Sequence, residues 1–298
     1  VDWSPLGRPL AHRITHRKKW IYATATTEEL FAAVAVIDLG YATKAFAFAC
    51  ADGRMLADRT SLGPPGAGAV GDGMGEGALA RYAVPGARVG IARRGGSLSV
   101  DARFRGLKLA WTMDATTARP PISAIAALPG GVVNATEKHA LLETRGTVRA
   151  GGETRSLGGF GGYDYTHGYL ARRTRWRWAF FMGRAHDGTP IAMNLVEGFV
   201  GEPECALWIG DELVPIGEGR FALDRSAPLD RWRVRSTCGS VDLSLLPWDV
   251  HGEDTNLGLV KANFIQPVGL WVGTIRAGGR ELRIARALGV AEDQDVLW

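Results

Sequence analysis

The sequence is short of most features that assign a chain to a class on sight. Its 298 residues include three cysteines, Cys50, Cys205 and Cys238, far apart and outside any CxxC pair. That spacing excludes a disulfide framework and a thiolate zinc site, and reads as reduced thiols in a cytoplasmic protein. No apolar run approaches the ~20 residues of a membrane-spanning helix, so no integral membrane segment is expected. The opening VDWSPLGRPLAHR lacks the apolar centre of a secretion signal, and it starts on Val1 rather than methionine, which leaves room for residues upstream. Charge of one sign is scarce as well: 35 basic residues against 31 acidic ones leave +4, spread along the chain. So small an excess is weak evidence for a polyanionic partner. GxSxG, HExxH and the P-loop lysine motif are absent, which argues against a serine hydrolase, a zincin and a P-loop NTPase. Gly66, Gly68 and Gly71 match GxGxxG, but proline and further glycines flank them and no βαβ unit follows. Amphipathic helix is nearly missing; Thr26–Leu30 and Gly77–Tyr82 could supply one turn each.

What remains is period-two patterning with turn punctuation from end to end. About fifteen short strands, separated by ADGR, RGG, HDGT, CGS and RAGG, argue for an all-β protein of antiparallel meandering hairpins with little helix. GGETRSLGGFGG interrupts the pattern and suggests two halves, residues 1–154 and 155–298. GGSLSVDAR (Gly95–Arg103) echoes GGRELRIAR (Gly278–Arg286), a faint sign of duplication. Leu257–Gln266 reads as a strand. The stretches DVHGEDTN, with His251, Glu253 and Asp254, and EDQD, Glu292–Asp295, read as solvated loops, and Asn134-Ala135-Thr136 has the form of a glycosylation site with nothing to place it in a secretory pathway.

Side chains alternate faces along a strand, so parity shows which residues share surroundings. In RRTRWRWAFFM, Trp176, Trp178, Phe180 and Met182 share one face and Arg173, Arg175 and Arg177 the other. A surface for single-stranded nucleic acid would mix rings and cations on one exposed face, so no nucleic-acid partner is expected. Just upstream, Tyr163, Tyr165, His167 and Tyr169 form a stripe opposite Asp164, Thr166 and Gly168. Such a stripe suits either an apolar cavity with proton-transfer groups or a core edge with satisfied hydroxyls. Glu197 follows Ile191, Met193 and Leu195 in a row, as a desolvated acid or as half of an ion pair. Asp38 and Gln266 end apolar rows in the same way.

The segments KKWIYATATTEELFAAVAVIDLGY, GGFGGYDYTHGYLARRTRWRWAFF, NLVEGF, EDTNLGLV and EDQDVLW resemble the bacterial family known as domain of unknown function 2804, over most of the chain. More distantly, the central segment is similar in layout to lipocalin-like hydratases and cyclases, such as carotenoid hydratases and tocopherol cyclase, in which a GxxWxDHxWG-like motif precedes a Trp-rich strand. That resemblance implies two lipocalin-like β-barrel or β-sandwich halves and acid–base chemistry on apolar molecules without a cofactor. It matches Asp164 to the motif's aspartate and Trp176 and Trp178 to its tryptophans. The motif's histidine, directly after the aspartate, is Tyr165 here, with histidine two places on at His167, so either His167 takes the role or the chemistry differs.

These readings converge on a small hydrophobic partner in a pocket lined mainly from the second half, with no metal and no cofactor. His167, Glu197, Asp164 and Tyr165 are the expected catalytic residues. Tyr163, Tyr169, Trp176, Trp178, Asp38 and Gln266 are the expected substrate-binding residues. The expected activity is hydration, dehydration, isomerisation or cyclisation; carriage without chemistry, or a filled core, are the alternatives.

Overall fold

The computed structural model describes residues 3, 6–256, 258 and 260–298. One short helix, α1 (Leu10–His16), precedes the strands. The first sheet contains β1 (Arg17–Thr26), β2 (Leu30–Asp38), β3 (Thr43–Ala51), β4 (Arg54–Gly63), β5 (Gly68–Val70) and β6 (Gly77–Val84). It continues with β7 (Ala87–Arg94), β8 (Ser97–Phe104), β9 (Leu107–Asp114), β10 (Ile122–Ala127), β11 (Val133–Ala150) and β12 (Glu153–Tyr169). The second contains β13 (Arg173–Arg184), β14 (Pro190–Gly198), β15 (Ala206–Ile209), β16 (Glu212–Pro215) and β17 (Gly219–Ala222). It ends with β18 (Trp232–Ser236), β19 (Val241–Asn256), β20 (Lys261–Ala277) and β21 (Arg280–Leu297). The strand pairs are antiparallel; the first sheet curls into a near-closed barrel and the second into a half-barrel.

Both sheets are built on one plan. The order β4-β3-β2-β1-β12-β11 in the first is repeated by β16-β15-β14-β13-β21-β20 in the second. In each, four strands meander outward and the last strand of the sheet returns to pair with its first. The segments that echo each other in sequence, at β8 and at the start of β21, do not fall on corresponding strands of this plan.

Strands β1–β3 explain how the two sheets join. Ile21, Ala23, Val34, Val36, Ala45 and Ala47 point into the barrel, where they meet Tyr82, Leu98, Leu107 and Trp111. Tyr22, Phe31, Phe46 and Phe48 point the other way, into a core shared with Trp178, Phe180 and Leu195 of the second sheet. Covered on both faces, these strands read as near-continuous apolar runs instead of an in/out alternation. Small residues on the barrel side leave room for the large side chains of β6–β9, so the volumes match.

Several expectations change. The sheets exchange at residues 170–172, since β12 runs in the first sheet to Tyr169; residues 155–169 thus belong with the first half. Gly77–Tyr82 lies in β6 and is not helical, while α1 was not anticipated. DVHGEDTN and EDQD are not loops but parts of β19 and β21. Leu257, the expected start of one strand, and Leu259 of EDTNLGLV lie outside the described residues, as do Val1, Asp2, Ser4 and Pro5 of the opening segment.

Glycine marks the closest backbone approaches. A Cβ on Gly289 would lie 2.1 Å from the Phe180 carbonyl oxygen and 2.5 Å from Phe181 Cβ, whereas one on Gly90 would touch nothing within 4 Å. Gly289→Ala is therefore expected to lower stability by about 1–3 kcal/mol through overpacking. Gly90→Ala, in a strand position that alanine can occupy, is expected to be neutral or slightly stabilising. Urea unfolding of the two variants checks the contrast.

Candidate functional site

A cavity of about 410 Å³ lies between the sheets. Its walls are mostly apolar: Trp20, Ile37, Phe46, Trp176, Trp178, Val196, Phe199 and Phe264. Its polar groups come from both sheets, Asp164, Thr166 and Lys138 from the first and Gln266, Glu292 and Gln294 from the second, with Glu204 from the loop after β14. The cavity is thus not a property of the second half alone.

The repeated plan places two acids in corresponding positions. On β12, Asp164 stands opposite Tyr22 of β1 on one side and Lys138 of β11 on the other. On β21, Glu292 stands opposite Trp178 of β13, and Gln266 of β20 supplies its amide on the other side. Each acid therefore sits on the returning strand of its sheet, beside an aromatic residue of the first strand. Their partners differ, and so does their chemistry.

Asp164 faces a cation. The Lys138 ammonium lies 2.5 Å from Asp164 Oδ2 and 3.2 Å from Glu204 Oε2, with the Trp178 ring 5.6 Å away. Burial alone would pull the lysine down; the two carboxylates outweigh it and hold the ammonium charged. Burial, more than the neighbouring Asp164, raises Glu204, against the opposing pull of Lys138. Losing one partner from such a buried group leaves an uncompensated charge.

Glu292 faces only neutral donors. Trp176 Nε1 donates to its Oε1 and Gln266 Nε2 to its Oε2, both at 2.8 Å, while Tyr22 donates its hydroxyl to Gln266 Oε1 at 3.2 Å. Burial in this apolar setting pushes the carboxyl up to about 7, further than the two hydrogen bonds pull it down. Glu292 also lines the cavity, so this raised carboxyl borders its space.

The loop after β14 brings two more groups inward. Gly198, Phe199 and Gly201 have φ of 76°, 54° and 70°. A phenylalanine in this region is strained by about 1–3 kcal/mol, a cost the surrounding structure must override. The turn lays the Phe199 ring 5.3 Å from Trp176 and delivers Glu204 to Lys138.

The expected site residues divide between the two faces of their strands. Asp164, Trp176, Trp178 and Gln266 line the cavity. Tyr163 and Tyr165 point the other way, into the barrel core, donating to Glu137 Oε1 and the Gly71 carbonyl. His167 is fully buried on that same side, 3.8 Å from the Trp3 ring and accepting from Arg17 Nε at 2.8 Å. Burial, with Arg17 and Lys19 adding, lowers its pKa to about 3, so it is neutral near pH 7. Tyr169 stacks with His12 beside this group. Glu197 faces away from the cavity, in an ion pair with Arg177 at 3.0 Å. Asp38 caps its own turn by accepting from Gly40 N at 2.9 Å. His251 is buried with its Nδ1 2.8 Å from Asp58 Oδ2, and Asn134 is buried in β11.

Glu292, Lys138, Glu204 and Tyr22 went unrecognised in the sequence. One signal was available: Leu288, Val290, Glu292 and Val296 fall on one parity, the pattern that drew attention to Glu197. Lys138 and Glu204 had no comparable signature, because their partners are distant in the sequence.

Comparison with known proteins supports the architecture. No curated protein matches the chain. A solved structure of an AttH-type protein from Nitrosomonas europaea superposes with a TM-score of 0.57 at 12% identity, over 93% of this chain and 92% of that one. Kievitone hydratase from Nectria haematococca gives 0.55 at 14% identity, over 96% and 90%. CghA in complex with Sch210972 gives 0.58 at 12% identity, over 95% and 89%. At such identities the likeness carries the fold, shared along nearly the whole length. The family itself follows from the sequence: residues 3–298 match the family described as domain of unknown function (DUF2804), and the chain belongs to it.

Proposed function

We propose that the protein is an acid–base enzyme that hydrates, dehydrates, isomerises or cyclises a small hydrophobic molecule held between the sheets. The observation that carries this reading is the pair of corresponding acids in one apolar cavity, Glu292 beside neutral donors and Asp164 beside an ammonium. A carboxyl pushed up by burial and a second carboxyl held by an ammonium in the same cavity can serve as acid and base in one turnover. Glu292 would give its proton to an alkene, enol or leaving hydroxyl. Asp164, oriented by Lys138, would accept one elsewhere on the molecule. Gln266 and Tyr22 hold the Glu292 carboxyl in place, and Trp176, Trp178 and Phe199 pack against the apolar body. This assignment keeps Asp164 from the sequence reading and replaces His167 and Glu197 with Glu292. That two fold neighbours are a hydratase and a protein solved with a bound small molecule agrees with the reading.

Carriage without chemistry is the second reading. Its support is that both Glu292 oxygens already accept a hydrogen bond, as a purely structural carboxyl would. Native mass spectrometry of the purified protein, with extraction of any retained molecule, supplies a compound to assay. Under the enzyme reading Glu292→Gln lowers turnover by about 10²–10⁴-fold with the fold intact. If Glu292→Gln changes affinity alone, the protein is a carrier.

Two further outcomes follow. Because the neutral form of Glu292 is the active one, wild-type kcat/KM should fall as pH rises through about 7, and Glu292→Gln should lack that limb. The same group affects folding: its pKa in the folded chain lies above the ordinary 4.5, so the cost of burying its charge is absent below pH 4.5 and complete above about 7. Stability should therefore decline over that window by an amount on the order of 3 kcal/mol, a dependence that Glu292→Gln flattens. His167→Gln and Glu197→Gln, on the far faces of their strands, should leave turnover largely unchanged; a loss matching that of Glu292→Gln would return catalysis to them.

A further inference from the structure

Among the large aliphatic side chains that remain exposed, one lines the cavity and two lie on α1, the helix that packs against the Leu39–Tyr41 turn at the cavity's edge. Leu62, 65% exposed, lines the cavity itself, next to Tyr41, Ala42 and Lys44. Leu10 and Ile14, 69% and 37% exposed, lie four residues apart and so on one side of α1. The helix is fixed to the mouth by two contacts. Lys18 Nζ donates to the carbonyls of Thr15, at 2.9 Å, and Leu39, at 2.7 Å, joining the end of α1 to the turn that carries Leu39 and Tyr41. Gly40 lies so close to α1 that a Cβ there would sit 2.6 Å from the Ile14 carbonyl oxygen.

Exposed cations lie near this rim: Arg8 just before α1, Arg13 between Leu10 and Ile14, and Lys261 at the cavity edge. The nearby acids are engaged: Glu253 pairs with Lys44, and Asp38 lies 3.8 Å from Lys19. Aliphatic side chains interspersed with arginine on and just before one short helix form the pattern of an interfacial segment, with the apolar groups entering the acyl boundary and the cations meeting anionic headgroups. A second copy of the chain fits less well, because three side chains fall far short of the ~800 Å² per partner of a stable interface.

We propose that the rim formed by α1, the Leu39–Tyr41 turn and Leu62 docks onto an anionic lipid surface, so that an apolar molecule passes between the bilayer and the cavity without crossing water. The proposal rests on the reading of the cavity as a site for hydrophobic molecules, and it adds the source of those molecules.

Flotation with vesicles of phosphatidylcholine, alone or mixed with phosphatidylglycerol, tests it. The full chain should float with the anionic vesicles, less with phosphatidylcholine alone, and less again at high salt. Leu10→Ser/Ile14→Ser and Leu62→Ser should each reduce partitioning, by about tenfold per side chain removed, while thermal unfolding stays as in wild type and, for Leu10→Ser/Ile14→Ser, outside the cavity lining, so does the binding of the soluble probe 1-anilinonaphthalene-8-sulfonate. Absence of flotation with anionic vesicles at low salt overturns the proposal, as does flotation that these substitutions leave unchanged. A dimer on gel filtration that the same substitutions dissolve would assign the patch to a second copy instead. Flotation in a protein that binds no probe would leave the docking surface standing and remove the cavity reading.

Discussion

The structure depends on strands β1–β3 being buried on both faces. One face closes the barrel with alanines and valines; the other carries Tyr22, Phe31, Phe46 and Phe48 into the core shared with the second sheet. A sheet solvated on one side would have no use for these rings. Because they are there, the second sheet must cover them, and the relation between the halves is fixed by packing more than by any linker. The cavity is the part of that interface where the two curved surfaces part, which is why its lining comes from both.

Within that interface the returning strands β12 and β21 set the chemistry. Each pairs with the first strand of its own sheet, so each carries an acid to an equivalent place, and the fold presents Asp164 and Glu292 to one space. Duplication alone would make them alike. The difference lies in one neighbour each: an ammonium beside Asp164, a carboxamide beside Glu292. An ammonium at hydrogen-bonding distance stabilises a carboxylate, whereas a carboxamide cannot offset the loss of hydration. Lys138 in turn stays charged because it also meets Glu204, delivered by the strained turn at Phe199. The asymmetry of the site thus traces to Lys138 on one strand and Gln266 on its counterpart, with Glu204 of the loop after β14 completing the lysine's surroundings.

Much of the fold was legible in the sequence, and the reasons are local. Period two and the glycine turns report strand geometry directly, so the all-β class and most strands follow from them. Separation of Trp176 and Trp178 from the arginines followed from parity, which no packing can alter within a regular strand. What failed needed long-range information. The stripe Tyr163–Tyr165–His167 was correctly seen to share a face, but parity cannot say which of two buried faces holds the cavity, and β12 is covered on both. EDQD resembled a solvated loop because three acids in four residues usually are one; in β21 they alternate between Glu292, buried in the cavity, and Asp293 and Asp295, bound by surface arginines.

That ambiguity bears on how the histidine should be read. A neutral imidazole under Trp3, receiving a hydrogen bond from Arg17, closes the end of the barrel together with Asp72 and the glycine-rich segment whose Val70 and Met74 are buried there. Its depressed pKa comes from burial and from the cations around it, so the shift marks a structural plug as readily as a site. Glu292 is shifted by burial as well, yet it borders the open space of the cavity. A perturbed group gains a functional reading from what lies on its free side. By that criterion the acid, and not the histidine that first drew attention, is the group to which the proposed chemistry is assigned.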